Sequence, residues 1–242
     1  MIDPQSLDQV LAEERARERK EKEQIQIPSD YKVYIALVNR EDLLQRALVH
    51  SSDVMENLTV IDNSKSGISF NPGCKVFRPP MPIQFVHSIN YALLETRRQS
   101  AHIAMWLHCD AWTPQGAYLR LIEEARQFTA EGRKWGLLFT NYDALLAMNT
   151  ALIDDVGLWD QNLPWYHSDE DYYRRVTLAG YEAIDTHIDV FHDYSQTIKS
   201  DLDVNFMNDI THPLHGQYYR LKWGGPPHEE QFTKPFNRDF AK

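Results

Sequence analysis

Two hydrophobic rhythms alternate along this chain. "YKVYIALV" (31–38) is a near-continuous apolar run of strand length, and the stretch from about Glu41 carries Leu44, Ala47 and Leu48 on one helical face. "LTVID" (58–62) is a second strand, closed by the turn-forming "NSKSG", and "NPGCKVFRPPMP" is a proline-rich loop. Phe85, Ile89 and Leu93 at helical spacing predict a helix from about Gln84 to Arg98. "HIAMWLHCDAW" (102–112) is another strand, after which Thr113 and Pro114 form an N-cap and first-turn proline for a helix reaching roughly Ala130. "KWGLLFT" is a strand. "SDEDYYRRVTLAGY" is a helix with Tyr172, Val176 and Ala179 on one face and Gly180 at its end, and "EAIDTHIDVFH" includes one more strand. Such alternation predicts an α/β fold with a mainly parallel central sheet flanked by helices on both faces. Ligands of such sheets collect outside the carboxyl ends of the strands, where His108 and Asp110 fall.

The ends of the chain break the rhythm. Residues 1–28 include "LAEERARERKEKEQ", charged on every face, with Leu7, Val10 and Leu11 as one weak apolar stripe. This segment is a charged N-terminal helix or tail, either solvated or docking a partner or a second copy. The globular domain is expected over 29–199. Residues 200–242 are an extension in which "GGPP" beside aromatic residues suggests a lid or acceptor wall.

The formal net charge of −10 disfavours non-specific nucleic-acid binding, which needs clustered cations. No run approaches the roughly 18 apolar residues of a membrane span, and the charged N-terminus is unlike a secretory signal. Cys74 and Cys109 are the only cysteines, so no paired-cysteine metal motif exists, and a soluble cytoplasmic protein with reduced thiols is expected.

Four constellations offer chemistry. In "HCDAW", Asp110 and His108 at a strand end could hold a divalent metal: oxygen ligands suit magnesium or manganese, and the imidazole shifts preference toward manganese or a softer ion. Equally, Asp110 could cap the following helix, with His108 a hydrogen-bonded core residue. In "THIDVFHDY", His187 and Asp189 would share a strand face, and His192, just past its end, could complete a site begun by Asp110. The same cluster also fits a metallohydrolase, or for His187 a plain surface or core position. Asp169, Glu170 and Asp171 occupy the first turn of a helix, where the dipole favours acids for capping alone, but where a carboxylate at a pocket rim could also act as a general base. Trp112, Trp159, Trp165, Tyr166 and Trp223 offer flat faces suited either to sugar C–H surfaces or to the core.

Taken in order from about Tyr31 to Thr197, these motifs resemble the GT-A glycosyltransferases, and most closely the inverting glycosyltransferase family 2. "VYIALVNREDLLQRALVHS" resembles the family's first strand and helix, so the resemblance implies that Val38, Asn39 and Arg40 meet the nucleotide. "VIDNSKSG" is similar to its second strand, implying a base contact from Asp62. "HIAMWLHCDAW" falls where the family has D-x-D, with Asp110 in the last place and His108 in the first. "NTALIDDVGLWDQNL" resembles the segment before the catalytic helix, with Gly157 and Asp160 in the usual places. "SDEDYYRRVTLAGY" matches E-D-x-D-x-x-x-R-x-x-x-x-G-Y with Ser168 in place of the glutamate. "FHDYSQT" is similar to a late segment whose histidine joins the metal or diphosphate site.

The resemblance implies a nucleoside diphosphate sugar donor and a glycan or other hydroxyl-bearing acceptor, with a modified nucleotide among the candidates. It implies Mn2+ or Mg2+ bound by Asp110, His192 and His108, with Asp169 as base and Asp171 in reserve. Arg175 would serve the phosphates. Trp112, Trp165, Tyr166, Lys222 and Trp223 would serve the sugar or acceptor. "QYYRL" has Leu221 where the processive Q-x-x-R-W motif has tryptophan, which implies single additions. Three other readings remain: a nucleotidylyltransferase, disfavoured because "NREDLLQ" has no glycine; a metallohydrolase; and a sugar-nucleotide or glycan binder without activity.

Overall fold

The structure, a computed structural model, describes residues 29–239. A seven-stranded sheet runs through its centre in the order β3-β2-β1-β4-β7-β6-β8, made of β1 (Tyr31–Leu37), β2 (Leu58–Asp62), β3 (Lys75–Phe77), β4 (Ile103–Leu107), β6 (Trp135–Phe139), β7 (Leu145–Asn149) and β8 (Glu182–Asp185). β7 alone runs against its neighbours β4 and β6, while the remaining pairs are parallel. Helices α1 (Glu41–Val49), α2 (Phe85–Arg98), α3 (Ala117–Ala130), the short α4 (Leu152–Asp155) and α5 (Ser168–Leu178) link the strands. A mixed α/β sheet flanked by helices is thus the observed class.

Alternation along the strands divides the core into two layers. Val33, Ile35 and Leu37 of β1 pack with Leu44 and Leu48 of α1 and Leu121 and Ile122 of α3. Tyr34 faces the other way, into a layer with Ile89 and Leu93 of α2 and Tyr172 and Val176 of α5. Each fully buried aliphatic side chain contributes roughly 1.5–3 kcal/mol relative to exposure, which explains why central strands tolerate no polar alternation. Gly136 in β6 is where α5 comes closest: a Cβ there would lie 2.8 Å from Val176 Cγ1.

Within the sheet domain, four elements differ from the sequence expectation. β3 lies inside the proline-rich loop, and β7 was not anticipated. α3 starts at Ala117 behind Gly116 (φ 79°) instead of at Thr113. The reason is that the preceding residues, β5 (Ala111–Trp112), pair antiparallel with β9 (Phe191–His192), and Thr113 Oγ1 donates to His50 O at 3.2 Å. The expected strand through His187 and Asp189 is interrupted between β8 and β9: His187 has a φ of 52°, and both side chains are exposed.

The C-terminal extension contains a 22-residue helix, α7 (Leu202–Trp223), preceded by the short α6 (Gln196–Lys199). Asp201 caps α7 by accepting from the amides of Asp203 and Val204. Its inner face buries His215, Tyr219, Lys222 and Trp223, whereas Leu202, Phe206, Ile210 and Leu214 stay exposed at four-residue intervals. Val204 reaches the cleft described below. No described helix is long and apolar enough to cross a membrane. The N-terminal helix or tail expected over 1–28, and any partner docking through it, lie outside the described residues.

Candidate active site

At the carboxyl ends of β1, β2 and β4 the sheet opens into a cleft of about 410 Å³. Because β7 runs backwards, its amino end lies at this same edge: Leu107 pairs with Leu145, and the His108 amide donates to Ala144 O at 3.0 Å. The cleft therefore draws from the ends of forward strands and from the turn before a reversed one.

Three candidate ligands meet here. Asp110 follows β4 and is almost fully buried; its carboxylate accepts from the Gln196 amide at 3.0 Å and lies 3.2 Å from His192 Nε2. His192 arrives through the β5–β9 pairing, in which it sits opposite Ala111 while the Asp193 amide donates to Asp110 O at 2.9 Å. One ligand atom from each of His108, Asp110 and His192 lies within 4.8 Å of the others. Burial opposes ionisation of Asp110, but the His192 contact, the charges of both histidines and the Gln196 amide outweigh it and lower its pKa. Burial pushes His108 down to about 4 despite the pull of Asp110, so at neutral pH it presents a neutral imidazole with a free lone pair. His192 Nδ1 is buried without a hydrogen-bond partner. Two imidazoles and a carboxylate already gathered at one point fit a divalent ion of manganese type better than magnesium, which prefers oxygen.

Asp169 lines the same cleft from the first turn of α5. Ser168 explains its own departure from the glutamate pattern: buried, it donates to Trp165 O at 2.7 Å and so fixes the loop that brings Trp165 and Tyr166 to the cleft wall. Behind Asp169, burial raises the Glu170 carboxyl well above the usual carboxylate range, helped by a hydrogen bond to Asp169 and by its charge.

Asp143 is a cleft residue that the sequence reading missed. It stands in the turn before β7 with a φ of 54°, and Tyr173 donates to it at 2.6 Å. Burial raises its pKa to about 6; the charges of Asp169 and Asp185 add to this, and the Tyr173 hydrogen bond opposes it. A carboxyl whose folded pKa exceeds its unfolded value favours folding below the unfolded pKa and loses that advantage as pH rises through the folded one. Asp143→Asn removes this ionisation. The variant is expected to gain about 2–3 kcal/mol relative to the parent between pH 4 and pH 7, measured by urea unfolding across that range. A difference that stays flat with pH would contradict the assignment.

Several other sequence candidates lie elsewhere. Val38, His108 and Asp110 line the cleft; Asn39, Arg40, Asp62 and Arg175 do not. Asp62 is buried against Arg78 (2.6 Å) and Ser64, while its neighbour Asn63 reaches the cleft. Asn39 donates to Thr197 O and Asp201, tying the first loop to the α6–α7 turn, and Arg40 pairs with Asp42. Trp112 stacks on Phe191 at 5.4 Å beneath the Arg46 guanidinium, outside the cleft. Asp171 is fully buried, accepting from Arg175 (2.9 Å), Trp223 (2.8 Å) and Lys222 (2.6 Å). Lys222 also reaches Asp160 at 2.6 Å, and Arg175 donates to Val156 O and Leu158 O. Asp171, Arg175, Lys222 and Trp223 thus form a clamp joining α5, α7 and the 156–160 loop, with their polar atoms already committed to one another.

No family model and no curated protein matches the sequence. Among solved structures, glucosyl-3-phosphoglycerate synthase from Mycobacterium tuberculosis in complex with Mn2+ and UDP-glucose is 11% identical and superposes with a TM-score of 0.50, over 75% of this chain and 78% of that one. A second structure of that synthase gives 12% identity and a TM-score of 0.50, over 75% and 79%. A cytidylyltransferase from Leptospira borgpetersenii gives 10% identity and a TM-score of 0.46, over 84% and 99%. The likeness is one of fold: this chain has a GT-A-like fold.

Proposed function

We propose that the chain transfers a monosaccharide from a nucleoside diphosphate sugar to an acceptor hydroxyl, with inversion and without processivity. The observation that carries this reading is the convergence of His108, Asp110, His192 and Asp169 on one cleft at the strand ends. His108, Asp110 and His192 would hold a divalent cation, whose Lewis acidity offsets the negative charge that builds on the departing diphosphate.

Asp169 accepts the proton of the acceptor hydroxyl. As that proton leaves, the acceptor oxygen bonds to the anomeric carbon, and the bond from that carbon to the diphosphate oxygen breaks with its electron pair. A single displacement of this kind inverts the configuration, through a transition state with oxocarbenium character. Trp165 and Tyr166, at the cleft wall next to Asp169, orient the sugar and exclude water.

The test is a thermal-shift screen of nucleoside diphosphate sugars with and without MnCl2. A bound donor at a hundred times its Kd adds about 2.7 kcal/mol of stability. That gain is expected to require Mn2+ in the parent and to disappear in Asp110→Ala. The same metal response in Asp110→Ala would remove Asp110 from the site. Metal-dependent donor binding without release of nucleoside diphosphate, across a broad set of acceptors, would mark a binding protein.

A further inference from the structure

The electrostatics of the cleft narrow the chemistry of the acceptor. Among the described residues lining it there is no lysine and no arginine. Among the cations of the surrounding shell, Arg78 pairs with Asp62, Arg46 with Asp193, Arg40 with Asp42, Arg175 with Asp171, and Lys222 with Asp160 and Asp171, while Lys199, next to the lining residue Ile198, donates to Tyr194 O. His167 and His215, on the α7 side of Tyr166, are pushed toward the neutral form first by burial and then by the charges of neighbouring histidines.

At the α5 end the cleft presents negative charge. Asp143 and Asp169 both line it, and Glu170 lies directly behind, in contact with Asp169. Burial, with the Asp169 charge, holds Glu170 toward its protonated form, so the acidic face of the cleft is that of the two lining aspartates. Phe85, Trp159, Trp165 and Tyr166 add aromatic surface to the lining.

We propose that the acceptor is an uncharged polyhydroxy compound with a flat C–H face, a neutral saccharide or glycoside, and that Asp143 together with Asp169 excludes anionic acceptors. This rests on the transferase reading above. Carboxylates bind sugar hydroxyls well, because each oxygen accepts from a donor, and aromatic faces cover the ring's C–H surface. An acceptor carrying carboxylate or phosphate would bring a further anion beside these aspartates with no lysine or arginine among the described lining residues to meet it. Selectivity here comes from repulsion as much as from attraction.

The test uses the donor and metal that give the largest thermal shift, followed by nucleoside diphosphate release with matched acceptor pairs: 4-nitrophenyl glucoside, galactoside and mannoside, each against its uronide. Neutral members are expected to exceed their uronides at least tenfold in kcat/KM. Asp143→Lys is expected to narrow that ratio at least fivefold, mainly through the KM of the uronide. Asp143→Asn, closer in shape and safer for folding, is expected to narrow it about threefold. Uronides used as well as their neutral partners would overturn the proposal. So would an unchanged ratio in both variants, or transfer to uronides but to no neutral glycoside while metal-dependent donor binding is intact. Loss of donor binding itself would instead overturn the transferase reading beneath it.

Discussion

Asp169→Asn is expected to lower turnover by about 10³-fold while leaving donor affinity within twofold. The side chain keeps its size and its place in the first turn of α5, but an amide cannot take the acceptor proton. General-base removal of this kind costs on the order of 10²–10⁴-fold. On the proposed reading donor affinity should persist, because the His108–Asp110–His192 set and walls such as Val38 and Asn63 are unaltered. Single-turnover release of nucleoside diphosphate, paired with calorimetric donor titration, separates the two quantities. A parallel fall in affinity and turnover would assign Asp169 to donor binding instead.

The second large effect concerns stability. Asp171→Ala is expected to destabilise the fold by about 3–5 kcal/mol, the cost of breaking a buried ion pair by removing one partner. Asp171 is fully buried and is the only carboxylate shared by Arg175 and Lys222 among the described contacts. Without it, Arg175 retains only backbone carbonyls, Lys222 retains Asp160, and the Trp223 indole loses its acceptor. For a domain of this size the melting temperature should fall by on the order of 10 °C. Unchanged melting with lost activity would restore Asp171 as a catalytic candidate, the role that its place in the acidic motif first suggested.

Asp169 and Asp171 show where the sequence stops being informative. They stand two residues apart in one helix turn, share a chemistry and match the same pattern. Only the helix phase, which turns Asp169 to the cleft and Asp171 toward α7, separates a cleft residue from a clamp. Lys222, Arg175 and Trp223 were candidates for the same reason: their residue types suit phosphate or sugar, and burial against Asp171 is a tertiary fact.

Likewise, β1, β2 and β4 were legible because strands buried on both faces are solid apolar runs of strand length. β7, "LLAMN", runs on into "TALIDD" without a glycine or proline break, and a buried strand cannot be told from a buried helix by periodicity. Missing β7 also hid Asp143, since its place at the cleft follows from that strand's reversal. α7 was obscured by Pro213 and Gly216, both poor helix formers, and by apolar residues on both its faces.

Asp110 and His192 were legible as a pair because imidazole and carboxylate near strand ends are unusual company, and the β5–β9 pairing joins them. The same pairing explains Trp112. Adjacent residues of a strand face opposite ways, so β9 turns His192 to the cleft and Phe191 outward, and Trp112 stacks on Phe191.

The most direct measurement is anomalous diffraction at the manganese edge from crystals grown with MnCl2 and a nucleoside diphosphate. The expected result is a single strong peak bonded to Asp110 and at least one of His108 and His192, with diphosphate oxygens completing its coordination and Asp169 facing the sugar position. A nucleotide bound away from these residues, or manganese bound elsewhere with the His108–Asp110–His192 set unchanged, would contradict the central claim.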